Sequence, residues 1–243
     1  MKFLLATTLV VYALTLVTCA NSPTKVLVIE SSACSICKYF NSRDIKHLTS
    51  ISGYDQVVQI SLNPCANLVR GSMNSNGNYN FTHRSGDFYL RKAFAQVCVN
   101  NLYTNDRALK WAAATSNPFS TNTLEIDLAN FFSEDKGAKM LSCINGSDAL
   151  NYTTKAYTTF TQFVYSGRLP QITLDGLKTP FVNNSSYYFL ENICRQRNDR
   201  AELSACTGLR ESELKALFEE SYVDAPSNGL FDYESFWNTP DDE

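Results

Sequence analysis

The chain has 243 residues, 44% of them hydrophobic, and a net charge of -3. That length supports one well-filled core with room for a subdomain, and the charge gives no reason to expect nucleic acid as a partner. The charge is nonetheless uneven. From Glu211 to Glu243 there are ten acidic residues against the single Lys215, a tail of -9 attached to a remainder of +6.

Residues 1–20 read as a secretory signal peptide: Lys2, an apolar run from Phe3 to Val17, then small residues at Thr18 and Ala20. No later stretch is apolar enough to cross a bilayer, so the cleaved chain is expected to be soluble, without a membrane span, in the secretory pathway. "KVLVIE" (Lys25 to Glu30) is a β-branched run of the kind that forms a buried strand. Ser31 and Ser32 can cap the segment that follows, where Ile36, Phe40, Ile45 and Leu48 recur near helical spacing. "QVVQISL" (Gln56 to Leu62) reads as a second strand, closed by Asn63 and Pro64.

Ser72 to Asn80 is almost all Ser, Asn and Gly, a loop composition. From about Asp87 to Tyr165 the apolar periodicity is helical. "RLPQITLDGLKTPFV" returns to strand character around an Asp175-Gly176 turn, and "SSYYFLENICRQR" closes with an amphipathic helix. The acidic tail holds loop-like Asp224, Asn228, Gly229 and Asp232, but Ser235 stands where a calcium loop needs a bidentate Glu, so an ordinary helix with an acidic end is expected.

This order predicts an α/β chain with a thioredoxin-like fold and a central helical insertion. Its parts are the signal peptide 1–20, a domain over 21–206 with the insertion at about 87–165, and the acidic tail 207–243. Cys34 and Cys37 fall at the first strand-to-helix junction, where such a fold places its active site, and Pro170 falls just ahead of the strand expected beside it. Three positions apart on a helix, the two thiols share a face and can close a small ring. Cys34, at the helix start, meets unpaired N–H groups that favour thiolate and is the candidate nucleophile. Cys37, one turn in, is the candidate resolving thiol.

Two other readings of the pair are a zinc half-site and two structural cysteines. Zinc needs four ligands, no second C-x-x-C exists, and Cys65, His83 and His47 lack ligand spacing, so no metal is expected. Seven cysteines remain after cleavage, which leaves at least one unpaired within the chain. N-x-S/T sites stand at Asn80, Asn145, Asn151, Asn183 and Asn184, as secretion allows. His47 is expected on a polar helix face and His83 as a solvated loop residue.

The stretches "VLVIESSACSIC", "LNPCANL" (Leu62 to Leu68), "LPQITLDG" (Leu169 to Gly176) and "ENICRQ" together resemble the gamma-interferon-inducible lysosomal thiol reductase family over most of residues 25 to 200. Phe81 to Cys98 aligns with the family's signature segment, Gly86 on its glycine and Cys98 on a later cysteine, while Cys143 suits another family cysteine. Where the signature has its own cysteine pair this chain has His83 and Leu90, and Glu30 lies one residue further from the first cysteine than the family's glutamate.

The resemblance implies a thiol reductase without a bound cofactor, acting on disulfide-containing proteins and recharged by a small thiol. Oxidase or isomerase chemistry, or a redox-inert binding or chaperone-like module on the same fold, stay open beside it. It also implies a Cys98–Cys143 disulfide, with Cys194–Cys206 second and Cys65 as the odd thiol, and a cis Leu169–Pro170 bond facing the dithiol. Finally, it implies a lysosomal or secreted location and, for acidic work, a Cys34 pKa several units below the free value.

Overall fold

The computed structural model describes residues 22–117, 123–163, 169–178, 190, 193–194 and 203–207. The signal peptide, Asn183, Asn184 and the acidic tail beyond Thr207 lie outside the described residues, as does most of the helix expected around Cys194.

The apolar run after the leader forms β1 (Thr24–Ile29), which leads into α1 (Ser35–Tyr39), a π-helical turn (Phe40–Ile45) and α2 (Lys46–Leu48). The π turn absorbs the five-residue step between Phe40 and Ile45, which an α-helix would rotate off the buried face. A single helical turn, α3 (Tyr54–Val57), then precedes β2 (Val58–Asn63). The second strand therefore starts two residues later than its apolar run suggests, Gln56 and Val57 being wound into the turn.

β1 runs parallel to β2, with Thr24 opposite Val58 and Ile29 opposite Asn63. On its other edge β1 pairs antiparallel with β5 (Gln171–Leu174), and β5 with β6 (Leu177–Lys178), in the order β2-β1-β5-β6. The β5–β6 turn is the Asp175-Gly176 pair, both at positive φ (47° and 81°), the twist that a two-residue hairpin requires. Val26, Val28, Ile29, Val58, Ile60 and Leu62 fill the core around the sheet.

The Ser/Asn/Gly-rich stretch is a hairpin, not the plain loop its composition suggests. β3 (Leu68–Met73) pairs antiparallel with β4 (Tyr79–His83), Leu68 opposite His83, and the turn between them is held by Asn74 Oδ1, which accepts from the N–H groups of Asn76 and Asn78. The helical block follows: α4 (Asp87–Leu102), α5 (Asn105–Thr115), α6 (Leu124–Phe131), α7 (Glu134–Asn145) and α8 (Ser147–Gln162). Its own core gathers Val99, Trp111, Leu128, Phe132, Met140 and Ile144, and a Cys98–Cys143 disulfide ties α4 to α7. A second disulfide joins Cys194 to Cys206, the latter on α9 (Ser204–Thr207).

No helix of the described residues is long and apolar enough to cross a membrane. Of the glycosylation candidates within them, Asn80 is exposed on β4, Asn145 is exposed at the end of α7, and Asn151 is half-buried on α8.

Candidate functional site

β1 ends at Ile29, and the chain must turn from a buried strand into a helix within five residues. Main-chain bonds make that turn: Glu30 N–H donates to Asn63 O (2.9 Å), Ala66 N–H to Glu30 O (3.1 Å) and Cys34 N–H to Ser31 O (3.0 Å). Cys34 then takes the N-cap position of α1 in extended backbone, and its Sγ accepts the Cys37 N–H at 3.2 Å. A sulfur in that position satisfies one of the orphan donors of the first turn, the task a Ser or Asp oxygen usually performs.

Both thiols are free of disulfides and differ sharply in environment: Cys34 is half-buried, Cys37 is 1% exposed. Cys34 is lowered from 9.0 to about 7, first by the hydrogen bond from the Cys37 thiol, then by the backbone N–H groups of Cys37 and Ile36 and the Lys38 charge, against the opposing cost of burial. Cys37 is raised well above 9.0 by burial, by its bond to Cys34 and by the charges of Cys34 and Glu30; the Ser31 main chain acts the other way. The expected direction is present, the Cys34 pKa lying below the free-thiol value.

Behind the pair lies Glu30, 5% exposed, its Oε2 accepting from Asn41 Nδ2 at 2.7 Å. Burial raises this carboxyl from 4.5 to about 7; the Asn41 bond opposes the rise and the Cys34 charge adds to it. Glu30, Cys37, Asn41, Lys92, Gln96 and Ser116 are among the residues lining a cavity of ≈50 Å³, polar enough and large enough for a few waters. Lys92 pairs with Asp127 at 3.4 Å on its wall.

Pro170 follows a cis Leu169–Pro170 bond. The β1–β5 register pairs Ile29 with Gln171, so Pro170 comes opposite Glu30, at the sheet end from which the Cys34 turn departs. Cys65 is free, fully buried beside Leu68, Phe81 and Ala93, and pushed by burial up to about 12. Among the described residues no cluster of three or more potential metal ligands occurs.

Two histidine expectations need correction. His83 is not a solvated loop residue; it ends β4, is 5% exposed and packs with its ring 5.7 Å from the Tyr89 ring, tilted by 33°. Its burial comes from the hairpin that composition hides. His47 is half-buried rather than set on a polar face, and burial lowers its pKa. Asn41 and Asn67 carry no sequence signal of their own, and Ser31, expected as a helix cap, yields that place to Cys34; only the β3–β4 register, which brings His83 and Asn67 to the Cys34 turn, would have pointed to Asn67.

No family model matches the chain, and no curated protein does. Solved structures do match. A candidate protein disulfide isomerase from Nitrosomonas europaea superposes with a TM-score of 0.50 at 11% identity, over 72% of this chain and 97% of that one. The reduced form of the disulfide bond oxidoreductase DsbG from Mycobacterium tuberculosis gives 0.46 at 14% identity, over 76% and 84%. The oxidoreductase DsbA from Xylella fastidiosa gives 0.44 at 16% identity, over 72% and 91%. With the strand order β2-β1-β5-β6 and the five helices set between β4 and β5, the first of these likenesses defines the class of the chain: a thioredoxin-like α/β fold with a central helical insertion.

Proposed function

We propose that the chain is an enzyme, a thiol-disulfide oxidoreductase that reduces protein disulfides through Cys34 and Cys37, a divergent relative of the gamma-interferon-inducible lysosomal thiol reductases. The observation that carries this reading is the asymmetry of the pair: a half-buried sulfur at the helix N-cap, held near pKa 7, beside a fully buried one held well above 9.0, with a buried carboxyl close by. Two structural cysteines would need neither the difference nor the carboxyl.

The Cys34 thiolate attacks one sulfur of a substrate disulfide; a Cys34–substrate bond forms and the other substrate sulfur leaves as a thiolate that takes a proton. Cys37 then gives its proton to the ionised Glu30 carboxylate and attacks Cys34. The Cys34–Cys37 bond forms, the second substrate sulfur leaves, and two electrons have passed to the substrate. The second substrate sulfur takes up the proton left on Glu30, and two equivalents of a small thiol reduce the pair again, leaving as their own disulfide. No bound cofactor is needed for these steps.

Pro170, by its place opposite Glu30, borders the path of an extended substrate. The signal-like leader and the two disulfides fit a secretory compartment, and a Cys34 pKa of about 7 fits neutral or mildly acidic surroundings better than strongly acidic ones.

Reduction of insulin disulfides by the wild-type chain and by Cys34→Ser tests the reading. Activity is expected in the first and none in the second. Equal activity in both, or none in the wild type with several reductants and pH values, would leave the inert-module reading standing. Faster oxidation of reduced substrates than reduction of oxidised ones would turn the assignment toward an oxidase or isomerase.

A further inference from the structure

The turn that carries Cys34 is held from outside by two other elements. Ser31 Oγ lies 3.3 Å from His83 Nε2 and accepts from Asn67 Nδ2 at 3.1 Å, at the base of the β3–β4 hairpin. Ser32 Oγ donates to the main-chain oxygen of Tyr89, in the first turn of α4, at 2.7 Å. Tyr89 is thereby fixed beside the Cys34 turn, its ring 5.7 Å from that of His83 and 5.2 Å from that of Phe88.

Lys38 reaches the same ring from α1. Its main-chain N–H donates to Cys34 O at 3.0 Å, which places it one helical turn after the nucleophile on the same face. Helical side chains lean back toward the N-terminus, so that of Lys38 runs toward the turn that bears Cys34. Its ammonium stands 5.1 Å from the centre of the Tyr89 ring, and Lys38 lines the polar cavity together with Ser31, Ser32 and Cys37. The cations of α4 nearby are already neutralised: Arg91 pairs with Glu125 at 2.8 Å and Lys92 with Asp127 at 3.4 Å. Among the described residues no carboxylate pairs with Lys38, neither the buried Glu30 nor Asp87 in the first turn of α4. A half-buried lysine is left with the face of an aromatic ring, a weaker partner than a carboxylate, one turn from the attacking sulfur.

We propose that Lys38 is a specificity-determining residue: its ammonium, held over Tyr89 beside Cys34, receives an acidic side chain next to the substrate cystine, so that disulfides in acidic sequence react ahead of those in basic sequence. The inference rests on the dithiol reading above and names the substrate class of that site. A basic side chain in the same substrate position meets repulsion from Lys38, so attraction and rejection both add to the preference.

The test uses three cyclic peptides with one disulfide each, identical except for Glu, Gln or Lys beside one cystine sulfur. They are reduced in single turnover by the pre-reduced full chain at about pH 7 and low salt. Each rate is divided by the rate of the same peptide with β-mercaptoethanol, an uncharged small thiol, which removes differences in the peptides' own reactivity. The wild type should reduce the Glu peptide about fivefold faster than the Lys peptide, with Gln between them, and the ratio should fall toward one in about 0.5 M salt. Lys38→Arg should keep the preference, Lys38→Gln should abolish it and Lys38→Glu should reverse it. Because each ratio compares two peptides on one protein, a change in the Cys34 thiolate fraction or a general loosening cancels. A wild-type ratio near one overturns the inference while the dithiol reading stands. A preference that survives in Lys38→Gln also overturns it, since another charge would then be responsible. If the wild type reduces none of the peptides, the dithiol reading itself fails and the inference falls with it.

Discussion

Replacing Glu30 with Gln should make the protein more stable and less active. The carboxyl holds its proton to about pH 7 when folded against 4.5 for an ordinary glutamate, because burial penalises its charge. The folded state is therefore the better proton binder between those values: the stability linked to this group is fully present below about 4.5 and is lost as pH rises toward 7, levelling off above it. A shift of about 2.5 units corresponds to about 3 kcal/mol at 1.36 kcal/mol per unit. The amide of Glu30→Gln would keep an oxygen for the Asn41 side chain, now 2.7 Å from Oε2, and would carry no charge to bury. Urea unfolding at pH 5 and pH 8 measures this directly. The wild type should lose about 2–3 kcal/mol more than Glu30→Gln between the two pH values, while insulin reduction by the variant falls at least tenfold because the buried thiol has lost its proton acceptor. Equal pH slopes in the two proteins would show that Glu30 ionises freely when folded and would remove it from the chemistry.

Three further outcomes follow from the same geometry. Iodoacetamide trapping of Cys34 should show a midpoint near pH 7, and Cys37→Ala, which deletes the largest stabilising contact, should move it up by roughly a unit; a wild-type midpoint at 8.5 or above would contradict the N-cap geometry. Opening the Cys98–Cys143 bridge with paired alanines frees a loop of 45 residues and should cost about 2–4 kcal/mol in urea unfolding at constant slope, whereas Cys65→Ala, which breaks no bond, should leave the disulfide pattern intact by peptide mapping. His83, held below 6.5 by burial, makes the unfolded state the better proton binder under mild acid, so stability should fall as pH drops below about 6.5, and His83→Gln should flatten that fall; an unchanged acid limb would place the titration elsewhere.

Much of this architecture is written in local pattern. β1 and β2 are short apolar runs, the Asp175-Gly176 turn has the one chemistry that a two-residue hairpin favours, and the C-x-x-C at a strand-to-helix junction identifies the thiols without any structure. The β3–β4 hairpin escaped for a physical reason: from Val69 to Met73 every residue of β3 is exposed, so no apolar alternation marks the strand. His83 escaped with it. Its burial and its hold on Ser31 depend on Leu68 facing His83 across the ladder, a long-range fact that no window of sequence contains. Glu30 was legible only in part: it ends the apolar run and stands one residue from the place of the family's glutamate, but its buried partner Asn41, brought round by the helix from α1 into the π turn, is a tertiary fact.

The arrangement of charges explains why the two thiols and the carboxyl would work in sequence rather than compete. Cys34 raises Glu30, and Cys34 and Glu30 both raise Cys37, so the three groups share a site that resists a second negative charge. Burial does most to hold the protons of Glu30 and Cys37, and the Cys34 thiolate adds to that hold; the resting pair presents one nucleophile. Once Cys34 is bonded to substrate its charge is gone. Glu30 then loses the repulsion that added to its high pKa, ionises more readily through the polar cavity at its back, and becomes the acceptor that Cys37 needs. In the reading proposed above, the first covalent step therefore eases the ionisation of the base for the second, against a burial cost that stays. A Cys34→Ser protein, which lacks that thiolate throughout, should show the Glu30 carboxyl titrating below the value it has in the reduced wild type, as measured by the carboxyl carbon shift against pH. Coincident titration curves would mean that the sulfur and the carboxyl do not sense each other, and the order of steps would need another cause.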